Sequence, residues 1–95
     1  MNGTTEQVIA TARICNRKGL HARAAAKVVK TAGEFDAKLS LHHAGQSAGA
    51  TSILSLLMLA ADMGSEVELR GEGPQSQQAV DAVCALIARR FDESE

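Results

Sequence analysis

Large aromatic side chains are almost missing from these 95 residues: Trp and Tyr do not occur, and Phe35 and Phe91 are the only two Phe. A core built from this chain must be aliphatic. A nucleic-acid groove is disfavoured, because the chain is not basic overall and has almost no aromatic surface on which bases could stack. Cysteine is equally scarce. Cys15 and Cys84 form neither a disulfide framework nor a zinc pattern, and both lie in apolar segments where a small hydrophobe fits. Apolar runs such as Leu56–Ala61 fall far short of the roughly 20 residues that span a bilayer. The start of the chain is polar and lacks the basic and apolar regions of a signal peptide, so no membrane and a cytoplasmic location are expected.

What is present is a globular composition, 45% hydrophobic and 22% charged. One domain over 1–95 is expected, with residues 1–7 as a flexible tail. The net charge of −1 conceals a division. From Gln7 to Gly33 there is no acid, while Arg13, Arg17, Lys18, Arg23, Lys27 and Lys30 are basic. From Asp62 to Glu95 eight acids face Arg70, Arg89 and Arg90. The first third can therefore offer a positive field to an anion or an acidic partner.

Val8–Cys15 reads as a strand, Asn16-Arg17-Lys18-Gly19 as a turn, and Ala22–Ala32 as an Ala-rich helix ended by Gly33 at C′. Leu39–His43 and Gln46–Ala50 pair across an Ala44-Gly45 turn. Ser52 caps a helix over Ile53–Ala61 that stops near Gly64. Glu66–Glu72 alternates as a half-buried strand, and Ser76 is placed as N-cap of a last helix through Phe91. The order β-α-β-β-α-β-α predicts an α+β two-layer sandwich, a four-stranded antiparallel sheet with three helices on one face. The middle helix is apolar nearly all round, so part of it should face solvent and meet a partner.

Chemistry concentrates at Lys18–Ala26. A turn delivers His21 to a helix start, where unpaired amides and the positive end of the helix dipole favour an anion. Neutral imidazole is a nucleophile near pH 7, and Arg23 adds a planar fork for phosphate oxygens, with Arg17 or Lys18 supplying further charge. His42 and His43 are adjacent on a strand and point to opposite faces, and no clustered thiolate or carboxylate completes a metal site.

Gly19-Leu20-His21-Ala22-Arg23 resembles the active-site motif of the HPr family of phosphotransferase-system phosphocarriers. The resemblance continues through Phe35-Asp36-Ala37, Gly45, Ser52-Ile53-Leu54, Leu59-Ala60, Gly64, Gly73, Ala79 and Phe91, covering about 7–93. It looks most like proteobacterial members, the nitrogen-related branch included. The resemblance implies a phosphoryl group on Nδ1 of His21, received from phospho-enzyme I and donated to a histidine of an enzyme IIA-type protein. It implies a phosphate contact from Arg23, no cofactor, and a carrier that is not an independent catalyst. Ser52 matches a serine that an ATP-dependent HPr serine kinase phosphorylates in many bacteria. A docking surface of Leu20, Ala24, Ile53, Leu54 and Leu57 on a monomer is expected, with no nucleic acid as partner. The chain departs from the family at Ala24 (usually Pro), Thr51 (often Lys) and Ser55 (commonly Gly). Two other readings stay open: a regulatory module needing no reactive His, and a nitrogen-pathway signalling protein differing in its final recipient.

Overall fold

The computed structural model describes residues 7–94. The expected tail over 1–7 lies outside these residues save for Gln7. The strands are β1 (Val8–Arg13), β2 (Lys38–His43), β3 (Gln46–Gly49) and β4 (Glu66–Glu72); the helices are α1 (Ala22–Ala32), α2 (Ile53–Leu57) and α3 (Ser76–Ala88). The sheet runs in the order β1-β4-β2-β3 with every pairing antiparallel. Three helices and a four-stranded open sheet give the α+β sandwich that the sequence predicts.

Alternation does most of the sorting. Along β4, Val67, Leu69 and Gly71 are buried while Glu66, Glu68, Arg70 and Glu72 face out. The register sets Leu41 opposite Leu69 and Ala10 opposite Leu69, so the inner faces meet in one apolar layer. Against it, α3 packs along β1, β4 and β2, and α1 packs between α3 and α2. At Gly71 a Cβ would stand 2.8 Å from Val80 Cγ2, so the absent side chain lets α3 lie close on the central strand. The outer face keeps Thr11, Ser40, His42, Glu68 and Arg70, with Arg70 Nε donating to Glu68 at 2.5 Å.

Several boundaries differ from expectation. Helix α2 ends at Leu57 instead of Ala61, because Ala60 takes φ 53°, which a right-handed helix cannot contain. Leu59 and Ala61 are still buried, as loop residues. Gly33 closes α1 in the right-handed region at φ −69°, so no left-handed C′ glycine is used there. Ser76 is not a cap: Gln75 holds the N-cap position without a side-chain bond, and Ser76 is buried as the first helical residue. β1 stops at Arg13, although Gly64 N–H still donates to the Ile14 carbonyl at 2.7 Å. β2 starts at Lys38, and β3 ends at Gly49.

The largest difference is at the end of α3. Phe91 is fully buried, as its spacing suggested, but it is not helical. Arg90, Phe91 and Asp92 take φ values of 59°, 53° and 61°, three consecutive left-handed residues without a glycine. This turn folds the chain back across the N-terminal end of α1.

Candidate functional site

The loop ahead of α1 is fixed from beneath. Asn16 is completely buried; its Nδ2 donates to the Gly19 carbonyl at 2.8 Å, and Gly19 N–H donates to the Asn16 carbonyl at 3.2 Å. Gly19 sits at φ +68°, and a Cβ there would come within 2.7 Å of the Ala61 carbonyl oxygen. No other residue accepts that backbone in that space without moving the loop. Leu20 N–H then donates to the same carbonyl at 2.9 Å, which delivers His21 to the helix start.

His21 is the N-cap of α1, extended at φ −85°, ψ −177°. Its ring does what a Ser or Asp usually does: Nδ1 accepts from the Arg23 N–H at 3.3 Å. The side chain is 26% exposed. The first carboxylate to meet it comes from the far end of the chain, where Glu93 Oε2 contacts Nε2 of His21 and Glu93 Oε1 accepts from Asn16 Nδ2 at 3.0 Å. Burial works against the charge on Glu93. Hydrogen bonds from Asn16 and His21 and the charge of Lys18 outweigh it and hold the carboxyl below its ordinary range. Next to it, Lys27 Nζ donates to the Phe91 carbonyl at 2.5 Å, and Arg89 Nε donates to Asp92 at 3.0 Å and holds that carboxyl low as well.

Around His21 lies an open cleft of about 560 Å³, whose cations are Arg17, Lys18, Arg23 and Lys27 and whose carboxylates are Asp92 and Glu93. It suits a small anion bound near the ring while most of its surroundings remain in water. A second concavity of about 520 Å³ lies on the outer sheet face around His42, Glu68 and Arg70. There the charged groups already satisfy one another, and His42 pairs with Ser40 Oγ at 2.8 Å. No helix start faces it, so His21 keeps the stronger claim. Among the described residues no group of three His, Cys, Asp or Glu side chains could hold a metal ion, and no helix is long and apolar enough to cross a membrane.

The structure divides the expected docking residues. Leu20 and Ala24 are 5% and 0% exposed and belong to the core, which corrects the expectation that they offer surface. Ala24 falls on the stripe Ala24, Ala25, Val28 and Ala32 that α1 turns inward, and nearness to His21 in sequence does not change that. Leu57 is half-buried against the core. Leu54 at 69% and Ile53 at 40% exposure remain, joined by the exposed Met58 and Met63, which sequence reasoning missed. Ser52 caps α2, accepting from the Ser55 N–H at 3.2 Å. Glu93 was also missed: an acid in a polar C-terminal stretch carries no periodic signal.

Comparisons with known proteins agree with this geometry. A family described as "PTS HPr component phosphorylation site" matches residues 8–89. The phosphocarrier protein NPr of Shewanella violacea is 47% identical over 81 residues, 85% of this chain and 89% of that protein. The phosphocarrier protein HPr of Cupriavidus necator is 48% identical over 82 residues, 86% of this chain and 92% of that one. Among solved structures, an HPr from Thermoanaerobacter tengcongensis superposes with a TM-score of 0.87 at 33% identity, covering 93% of this chain and 99% of that one. An HPr dimer from the same bacterium reaches 0.72 at 34% identity, covering 88% of this chain and 97% of that one. A histidine set as a helix cap in a cationic cleft, on this sheet and in this sequence, places the chain in the HPr family of phosphotransferase-system phosphocarriers.

Proposed function

We propose that this chain relays a phosphoryl group: His21 receives it from phospho-enzyme I and passes it to a histidine of an enzyme IIA-type protein. The observation that carries this reading is His21 itself, partly exposed, capping α1 inside the cleft lined by Arg17, Lys18, Arg23 and Lys27. A phosphoryl group on the ring would lie where the α1 amides and the Arg23 guanidinium meet it, and charge-assisted bonds to phosphate are the strong ones. The exposed Leu54 and Met58, one helical turn apart, and the exposed Met63 offer apolar side chains to the protein that brings or takes the group.

In this reading the carrier works in the cytoplasm as a monomer and without a cofactor. Relatives named NPr and HPr match at 47% and 48% identity, so the acceptor is defined here only as a IIA-type histidine. Ser52 remains a candidate for an HPr serine kinase; its hydroxyl already caps α2, and a phosphate there would stand beside the exposed Leu54.

Incubation with phosphoenolpyruvate and enzyme I should label the wild-type chain at His21 and leave His21→Ala unlabelled yet folded. Labelling of His21→Ala at the wild-type level would refute the reading.

A further inference from the structure

Resting on the carrier reading, we infer that Glu93 is a positioning residue that directs the phosphoryl group to Nδ1 of His21 by holding the Nε2–H. Two contacts grip the ring from opposite sides, Arg23 N–H on Nδ1 and the Glu93 carboxylate on Nε2. An ionised carboxylate only accepts, so Nε2 must carry a hydrogen; a backbone amide only donates, so Nδ1 must present a lone pair. Both contacts select the same neutral tautomer. The opposite tautomer would set a lone pair against the carboxylate and one N–H against another.

The carboxylate is itself held. Asn16 Nδ2–H donates to its Oε1 and to the Gly19 carbonyl, which fixes which end of the buried amide carries the hydrogens. Asn16 Oδ1 has no partner among the described residues, so the amide is oriented for its donor side alone. Backbone strain points the same way. Three consecutive left-handed residues without glycine persist only where their surroundings over-determine them, and here the result is to carry Glu93 to the ring. The side chain of Glu93 is 16% exposed, so water competes little for the contact.

In transfer, the Nδ1 lone pair forms the bond to phosphorus while the P–N bond of the donor histidine breaks and its electron pair returns to the donor ring. The Nε2 proton stays in place throughout, and Glu93 takes none. As the ring becomes phosphorylated and cationic, the carboxylate on Nε2–H stabilises the new charge. The Arg23 amide, released from Nδ1, is free to donate to a phosphoryl oxygen. On donation the N–P bond breaks and its electrons return to Nδ1. The carboxylate lies on the far side of the ring from phosphorus, so it does not occupy the site of the phosphate.

The test uses potassium phosphoramidate, a small donor that needs no partner protein, alongside phospho-enzyme I. The full chain, Glu93→Ala and Glu93→Gln are compared for rate of uptake and, by NMR of the labelled ring, for which nitrogen carries phosphorus. Wild type should give the Nδ1 product with phosphoramidate. Glu93→Ala should lose about tenfold in uptake at Nδ1, the worth of one charge-assisted hydrogen bond, and should also yield the Nε2 product, which a merely structural residue would not cause. Glu93→Gln, with one carbonyl oxygen for two donors, should fall between them. Uptake confined to Nδ1 at the wild-type rate in Glu93→Ala overturns the inference. So does faster uptake, which would make Glu93 an inhibitory strap. If phosphoramidate shows the selectivity but phospho-enzyme I transfers nothing, the carrier reading fails while the role of Glu93 stands. No phosphorylation of His21 from either donor overturns both.

Discussion

Replacing Phe91 by Ala tests whether the C-terminal turn is a strained strap held down by one side chain. Left-handed backbone costs an ordinary residue roughly 1–2 kcal/mol, so Arg90, Phe91 and Asp92 store about 3–6 kcal/mol between them. Against this stand the burial of the Phe91 ring, worth roughly 3–5 kcal/mol against Ala, and the Lys27 bond to its carbonyl, worth about 1.5–3 kcal/mol. The two sides nearly balance, so the turn should not outlast the ring. Phe91→Ala should unwind residues 90–94 and recover the strain, leaving a net loss near 1–3 kcal/mol in place of the full cavity cost. For a domain of this size that corresponds to a melting temperature lower by roughly 5–20 °C. Thermal unfolding gives the loss, and amide hydrogen exchange gives the state of the turn. With the turn gone, Glu93 leaves His21, so the Nε2 product with phosphoramidate should appear as in Glu93→Ala. A loss of 4–5 kcal/mol with residues 90–94 still protected would show that the turn carries no strain. No loss at all would show that the ring is not an anchor.

Arg23→Ala should slow phosphoryl transfer with both donor and acceptor, as a lost phosphate contact would, and leave the melting temperature within a degree or two, because the side chain is exposed. Leu54→Glu should weaken binding to enzyme I without unfolding the domain, since the side chain is 69% exposed; titration calorimetry and a melting curve read the two effects. Ser52→Ala should cost about 1 kcal/mol through the lost cap, whereas Ser52→Asp keeps the cap and should slow phosphorylation by enzyme I; equal rates for all three proteins would leave Ser52 a cap only. The Glu93 carboxyl is held below its ordinary value of 4.5, so its contribution is complete above that value and is lost as pH falls through the lower folded one. Unfolding followed below pH 4.5 should therefore show a steeper decline for wild type than for Glu93→Ala, and parallel curves would contradict the contact.

The parts that were legible in the sequence are those governed by local rules. β4 was read to the residue because Glu66–Glu72 alternates without a break, and α1 because an Ala-rich stretch stands between a turn and Gly33. His21 and Arg23 could be singled out because a helix start is a physical feature of the sequence as well as of the fold. Leu20 and Ala24 lie inside although they neighbour His21 in sequence, because adjacency does not make a shared surface. Ala24 shares its phase with Val28 and Ala32, so it had to go inward with them. α2 was overextended because an unbroken apolar run from Leu56 to Ala61 looks the same whether a helix or a buried loop contains it, and nothing about Ala60 announces a positive φ.

Glu93 was out of reach for a deeper reason. Its role depends on three residues in a backbone state that their side chains disfavour, and local propensity argues against such a turn at every position. The buried Phe91 ring, sealed in a core drawn from the whole chain, and the Lys27 bond to its carbonyl hold the turn in place. The ring was visible as an apolar residue at the end of a helical period, but its consequence for Glu93 was not, since that follows from where the core is and not from what precedes it. The conflict between local preference and observed structure is thus concentrated at the residues that bring a carboxylate to the His21 imidazole. Elsewhere in the chain, α2 is shorter than expected by four residues, and the other elements differ mainly by a residue or two at their ends. Where they differ in kind, as at Arg90–Asp92, the strained backbone meets the histidine proposed to carry the phosphoryl group.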